Sequence, residues 1–509
     1  MKFLDRFRSA PKTNTATRQV RRPAIVMPVN FSRNFKGADQ GRLTLDWISS
    51  NLTSDAELQR HLKSLRFRSR DLERNDDYMR SFLKNVETQV VGPDGVNLQM
   101  QVREPNGSVD QAANTTIETA WKKWTRRGIC TMDGRLSWAD VERLFIRSVA
   151  RDGEVLVRMV EGRQAGNEFG FAVQLVEADH LDEDDLRVLP DNKKIKMGVE
   201  CNEWNRPLAY HLWTEHPGEV LMARHRFDKV RVPADNLVHG FIQERAGQSR
   251  GLPWIVSAML RLKMLGGYEE AELVAARLAS SKMGFFTSED GESYQGDGED
   301  SDGSLITDAE PGTFEQLPTG VKFESWSPEH PTNAFAAFHK AMVRGAAASV
   351  GMTYPSFSGD LEGVNFSSIR QGSLNERDGW RVIQNWEIGT LHQAVFPRFL
   401  AMGITTGAIR LPMTKFEKFN KPKWQPRGWD WVDPQKEANA NLVAFNGGMK
   451  SRTAILAARG ISYEDFLDEL KAEQDLADAK GVRLPEAGAV TLSTLGVDNG
   501  QSDDDEDED

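Results

Sequence analysis

The sequence predicts an α+β chain, with short antiparallel strands in the first half and long helices in the second. Between residues 154 and 242, apolar runs (EVLVRMV, FAVQLVE, PLAYHLW, KVRVP and NLVHGFI) are separated by Gly, Pro, Asn and Asp clusters, the pattern of short strands. From Gly251 onward, apolar residues recur at helical spacing over long stretches. The 509 residues, 39% apolar and 27% charged, are too many for one simple core.

Residues 1–33 carry eight Lys or Arg against one acid, so residues 1–55 read as a basic, partly disordered arm. Over 56–86, Leu58, Leu62, Leu65, Leu72, Met79, Phe82 and Leu83 keep helical spacing. Gly92-Pro93-Asp94-Gly95 is turn chemistry between the strand-like runs ETQVV and VNLQMQV, which predicts a β-hairpin. Helical patches follow at Thr116–Arg126 and Trp138–Arg151, then the strands.

At Gly251 the pattern becomes one long helix reaching Phe286, weakened or kinked at Gly266-Gly267. Met283–Val321 has no Lys or Arg against ten acids, and its polar, glycine-rich centre cannot make a core. NAFAAFHKAMVRGAAASVG is helical again, and Gly345–Ser349 are small enough for a neighbouring helix to approach. The segment GMTYPSFSGDLEGVNFSSIR (351–370) reads as a pliable loop with three large aromatics, Tyr354, Phe357 and Phe366. A third long helix follows, with Trp380, Ile383, Leu391, Val395 and Phe399 supplying its apolar side. After tryptophans 424, 429 and 431 come two short helices split by Asn446-Gly447-Gly448. The chain ends in seven consecutive acids, Asp503–Asp509, which repel one another and predict a disordered tail over 481–509.

Several function classes fall away. There is no run of 18 apolar residues for a membrane span, and the basic N-terminus lacks the apolar core of a secretory signal. Cys130 and Cys201 are far apart and outside any CxxC pair, which fits a reducing cytoplasm, although folding could still bring them together. A net charge of −11 argues against a protein that grips nucleic acid by broad phosphate neutralisation, but not against one that handles DNA without holding it. The dipeptide Gly-Lys is absent, so there is no Walker phosphate loop; HExxH and zinc-type Cys/His spacings are also missing.

Three constellations remain. EADHLDEDD (177–185) invites a metal, but its carboxylates are contiguous where two-metal sites converge from separate elements, so it reads as a solvated loop. Lys340 and Arg344, one helical turn apart, form either an ordinary solvated face or positive charge facing a ligand. The tryptophans at 424, 429 and 431 could stack on bases, yet their prolines and acidic neighbours favour packing. No catalytic cluster emerges.

In order along residues 65–465, the segments SRDLERND (69–76), GEVLVRMV with QLVEADHLD (153–182), and RAGQSRGLPW with YEEAELVAARLASSKMGF (245–285) resemble the phage portal proteins of the lambda type. The resemblance continues through NAFAAFHKAMVRGAAASVGMTYPSFSGDLEGVNFSSIR (333–370) and WVDPQKEANA with SRTAILAARG (431–460). It implies a head–tail connector subunit with an α/β wing (56–250), stem helices (251–283 and 333–350) and an acidic clip (284–332). Also implied are a tunnel loop (351–370), a long wing helix with its return (371–424) and C-terminal wing or crown helices (425–480).

The family implies a ring of about twelve copies at one capsid vertex, assembled in the host cytoplasm, through which double-stranded DNA enters and leaves. Implied partners are the terminase large subunit, major capsid and scaffold proteins, head–tail joining proteins and DNA in transit. No cofactor, metal, membrane or enzymatic activity is implied. On this resemblance Tyr354, Phe357, Asn365 and Phe366 face DNA from the tunnel loop, and Lys340 and Arg344 face the stem lumen. Loop aromatics can equally anchor the loop to its own core. An acidic bore would repel the duplex from all sides and keep it centred. The competing readings are a nuclease subunit of the packaging machine and a shell or neck protein without a channel.

Overall fold

The computed structural model describes Arg42 and residues 51–219, 228–280, 334–429 and 434–482, with short strands at 284–288, 298–299, 305–306 and 321–325. The basic arm, most of the acidic stretch, Trp431 and the acidic tail lie outside the described residues. Thr53–Asp509 form one compact unit. The two cysteines are free and buried.

Helix α1 (Ser54–Asn75) starts at Thr53, whose hydroxyl accepts from the Ala56 amide at 3.3 Å. Asp76 ends α1 and caps α2 (Asp77–Val90), its carboxylate accepting from Met79 N at 2.7 Å. The expected hairpin at 92–95 is not formed. Its first run is the last turn of α2, because Val86 and Val90 continue the buried face of Met79, Phe82 and Leu83. The turn is real, with Gly92 and Gly95 at positive φ, but it joins a helix to a strand. That strand, β1 (Asn97–Met100), pairs much later in the chain, with Pro422–Gln425.

Helices α3 (Gln111–Trp124) and α4 (Trp138–Asp152) follow as expected, α4 opening on a Ser137–Asp140 capping box and closing on Gly153 at φ +89°. Strand β2 (Glu154–Glu161) is central to a sheet with β3 (Phe171–Val176) and β9 (Leu237–Phe241), in the order β3-β2-β9. Between them a second antiparallel sheet runs β4 (Arg187–Val188), β5 (Lys194–Lys196), β6 (Val199–Cys201), β7 (Pro207–Trp213) and β8 (Lys229–Pro233). All five strands expected from the sequence are present; β4, β5 and β6 are too short and too charged to register as strands.

Residues 254–258 are turns, and helix α5 runs Met259–Ser280, continuous through Gly266 and Gly267. A Cβ on either glycine would meet nothing within 4 Å, and good helix formers flank them, so the pair is accommodated without interrupting the helix. The helical pattern also overreaches at its far end. Gly284–Ser288 is strand β10, favoured by Phe285, Phe286 and Thr287; after β11 (Gly298–Glu299) and β12 (Leu305–Ile306) it pairs with β13 (Val321–Ser325).

Helix α6 (Phe335–Ser349) packs against α5 where Gly345 admits Arg261; a Cβ there would fall 2.1 Å from the guanidinium. The short α7 (Tyr354–Ser358) leads to α8 (Phe366–Glu387), a π-turn at Ile388–His392, and α9 (Gln393–Thr406). Next come α10 (Phe416–Phe419) and β14 (Pro422–Gln425), then α11 (Pro434–Asn446), α12 (Arg452–Ala457) and α13 (Tyr463–Lys480), one helix more than expected after Asn446.

Among the described residues, one core joins the three-stranded sheet to α3, α4 and α9 through Trp121, Trp124, Phe145, Phe171 and Phe399. A second joins α2, α5, α6, α7 and α8 through Phe82, Leu262, Val343, Phe357 and Trp380. The five-stranded sheet closes on Val199, Tyr210, Leu212 and Val232.

Glu387, at the end of α8, is fully buried, and neither carboxylate oxygen has a hydrogen-bond partner among the described residues. Burial, then the nearby Glu142, pushes its carboxyl well above the ordinary range. The protonated form is therefore favoured in the fold, so this contribution to stability is complete below the unfolded carboxyl's pKa of about 4.3 and is lost as pH rises through the folded value. Glu387→Gln should match the wild type in thermal melts near pH 4. It should then gain on it by up to about 1.4 kcal/mol per pH unit above that; parallel pH profiles would contradict the assignment.

Candidate functional site

The segment expected to be a pliable loop is largely ordered. Thr353 caps α7, accepting from Ser356 N at 3.4 Å, while its own amide donates to Glu376 on α8 at 2.5 Å. Asn85 on α2 donates to the Ser356 carbonyl at 3.0 Å. Phe357 is 0% exposed and stacks on Tyr78 with centroids 5.9 Å apart. Its expected place on a tunnel surface is therefore corrected: the phenyl ring is a core anchor, held by apolar burial against α2.

Asn365 caps α8, accepting from Ser368 N at 2.8 Å, and Phe366 begins that helix. The stretch between these points turns at Gly359 (φ +76°) and Gly363 (φ +67°), and Asp360 holds it by accepting from the Glu362 amide at 2.8 Å.

The cations of α6 converge on this loop. The Lys340 ammonium lies 5.2 Å, and the exposed Arg344 guanidinium 5.5 Å, from the centre of the Tyr354 ring. Tyr354 donates its hydroxyl to Asp360 at 2.8 Å, and Lys340 reaches the same carboxylate oxygen at 3.4 Å. Burial, then that acceptor, raises the Tyr354 phenol; the Glu362 amide, then Tyr354, lowers the Asp360 carboxyl. The structure thus brings together Lys340, Arg344 and Tyr354, and adds Asp360, which no sequence pattern singles out.

Beside this site the α5–α6 pair carries an apolar groove of about 770 Å³, lined by Leu260, Met264, Leu265, Tyr268, Phe338 and Met342. Leu260 is 72%, Met264 67% and Phe338 47% exposed.

The acidic segment 177–185 is not a solvated loop. Asp179 is buried against Arg66 and Arg70, Glu183 pairs with Arg66, and Asp182 and Asp185 share Lys229. Asp179, Asp182, Glu183 and Asp185 have each found a fixed cation, which is why their burial is tolerated, while the exposed Asp184 accepts from the Gln59 amide at 3.1 Å. Glu177, Asp179 and His216 do bring donor atoms within 4.8 Å of one another. However, the Gly218 amide donates to His216 Nδ1, so Nε2 carries the proton and faces the carboxylates, with Arg70 already 2.6 Å from Asp179. This is an ion-pair network whose imidazole offers no lone pair to a metal.

Glu154, at the head of β2, is the densest polar junction. Fully buried, it accepts from Arg66 at 2.9 Å, from Arg250 at 2.7 Å, from His239 at 2.9 Å and from the Gly251 amide at 3.1 Å. Burial alone would raise its carboxyl; Arg250 and His239 overcome that and hold it well below the ordinary range. A charged residue opening an apolar strand was the only sequence signal.

Missing from the sequence reading is GQSRG (247–251), which fits GxSxG. Ser249 donates to the Asp55 carboxylate at 2.9 Å rather than to an imidazole, and Asp55 also takes Lys196, so the serine is a tether. The tryptophans pack, as expected for 424 and 429. Trp424 lies 5.6 Å from Trp121, and Trp429 donates to Gln89 at 2.6 Å.

Comparison with known proteins agrees with the sequence resemblance. The profile of the phage portal protein, lambda family, matches residues 40–384. A probable portal protein of Halomonas phage phiHAP-1 is 33% identical over 485 residues, covering 94% of this chain and 93% of the relative. Portal protein B of Escherichia phage lambda is 20% identical over 508 residues, covering 90% and 92%. Among solved structures, a chain of the neck of an empty GTA particle computed with C6 symmetry aligns at a TM-score of 0.41 and 14% identity, covering 77% of this chain and 92% of that one. With the family profile spanning most of the sequence and a relative at 33% identity over nearly its whole length, the chain belongs to the lambda family of phage portal proteins, and its function is that of a portal.

Proposed function

We propose that the chain assembles with copies of itself into a ring of about twelve subunits. As a virion component at one capsid vertex, the ring passes double-stranded DNA inward during packaging and outward during ejection. In this reading residues 56–250 with 371–424 are the wing, α5 and α6 the stem, 284–332 the clip, and the stretch around 351–370 the tunnel loop. Lys340 and Arg344, with Tyr354, Asn365 and Phe366, face the bore. The clip receives the terminase large subunit, which supplies the ATP hydrolysis. Capsid, scaffold and head–tail joining proteins take the outer surfaces.

The observation that carries the reading is the uncovered apolar flank of α5 and α6. Leucine and methionine side chains as exposed as Leu260 and Met264, beside an open groove, call for a partner surface. A neighbouring copy is the partner always present at matching concentration, and a repeated head-to-tail contact closes into a ring.

Light scattering with negative-stain imaging tests this. The wild type should form an annular particle with a central hole, many times the 57.1 kDa subunit mass. Leu260→Asp with Met264→Asp should leave a folded monomer. Annuli unaffected by the double substitution would remove the stem contact. A monomer that cuts DNA with added Mg²⁺ or Mn²⁺ would replace the portal reading with that of a nuclease.

A further inference from the structure

We propose that Lys340 and Arg344 form an oxyanion site for the phosphodiester backbone of duplex DNA, and that Asp360 fills this site in the free subunit as a built-in competitor. The inference rests on the tunnel reading above and concerns how the same residues are regulated.

Two cations and one carboxylate converge on a single ring, so the cluster keeps a net positive charge. Lys340 and Arg344 both lie against Tyr354, while Asp360 takes the Tyr354 hydroxyl at 2.8 Å and the Lys340 ammonium at 3.4 Å. The Lys340 and Asp360 side chains are each about one-third exposed, so their pair is weakly held and screened by salt. A phosphate brings the charge of a polyanion and releases counterions when it binds, an advantage a single carboxylate lacks.

The backbone is built for such an exchange. Phe357 is buried on one side of Asp360, and Asn365 caps α8 on the other. Between these anchors Gly359 and Gly363 have positive φ, and a Cβ on either would meet nothing within 4 Å. Within the loop Asp360 also accepts from the Glu362 amide at 2.8 Å and donates its own amide to Ser358 Oγ at 3.1 Å, so the exchange releases its Tyr354 and Lys340 contacts without requiring α7 or α8 to move. Each subunit would grip phosphate only where the duplex comes close, and would cover its own charge elsewhere. The site would hold transiently without stalling DNA along the whole bore.

The test uses assembled full-length rings and a labelled blunt duplex, with retention measured against NaCl. Asp360→Asn should tighten retention by about 1.5- to 5-fold per engaged subunit, the range of an exposed ion pair, and steepen the salt dependence. Lys340→Gln should weaken retention, and the double variant should behave as Lys340→Gln alone. If Asp360→Asn equals the wild type while Lys340→Gln weakens retention, the competitor is overturned and the tunnel site stands. If Lys340→Gln and Arg344→Gln both leave retention unchanged, the site itself falls. Hydrogen exchange of residues 359–363 in wild-type rings gives a check free of substitutions. Added duplex should speed exchange there, and unchanged rates overturn the proposal.

Discussion

Glu154→Gln should be among the most damaging single substitutions in this chain, lowering stability by about 3–5 kcal/mol and the melting temperature by roughly 5–15 °C. The amide has the shape of the carboxylate but not its charge. Arg250, 0% exposed, would be left as a buried cation facing a neutral amide and the Met197 and Ala178 carbonyls, while Arg66, also 0% exposed, would keep Asp179 and Glu183. His239 and the Gly251 amide would lose a charged acceptor as well. The damage comes from the partners left behind more than from the net worth of the pairs. Because the folded carboxyl lies below its unfolded value, its contribution is present above about pH 4.3 and fades as pH falls, so the two proteins should converge in acid. Glu57→Gln is the control. It breaks the exposed pair with Arg245 and should leave the melting temperature within about 1 °C. Equal losses from the two substitutions would contradict the role given to Glu154.

Gly153→Ala should come close to it, for a geometric reason. The residue ends α4 at φ +89°, where an L side chain costs about 1–2 kcal/mol. A Cβ there would also lie 2.4 Å from the carbonyl carbon of Leu252 and 2.6 Å from its nitrogen, and backbone cannot rotate away as a side chain does. In return, Gly251 lies so close to the Gly153 carbonyl that its own Cβ would fall 2.0 Å from that oxygen. The two glycines clamp the end of α4 to the segment entering α5, beside the Glu154 junction. Gly162→Ala separates the two causes, since its φ is +80° with nothing within 4 Å. It should carry the backbone penalty alone, about 1–2 kcal/mol in a denaturant melt, and Gly153→Ala should exceed it.

What the sequence made legible was whatever repeats locally. Strands β2, β3, β7, β8 and β9 and the longer helices up to α9 could be read because burial imposes a period on each, whereas the short α7 could not. What could not be read was long-range. The GPDG turn looked like a hairpin because turn chemistry is local, whereas the partner of β1 lies beyond residue 420. The acids of 177–185 looked solvated because their arginines come from α1 and their lysine from β8. At the candidate site, Lys340, Arg344 and Tyr354 were visible as residue types, but Phe357 could be assigned to the core only once Tyr78 was placed against it. Asp360 becomes meaningful only when the loop folds back on α6.

The π-turn at Ile388–His392 has a further consequence. Widening one turn by a residue rotates everything downstream by about 100° relative to a plain α-helix. Upstream, Trp380 serves the core built on α2, α5 and α6; downstream, Val395 and Phe399 serve the core beneath the three-stranded sheet. One continuous rod can belong to both only because its phase is reset between them. The two halves of the body are thereby joined through one helix, whose register from one core to the other is set at a single wide turn.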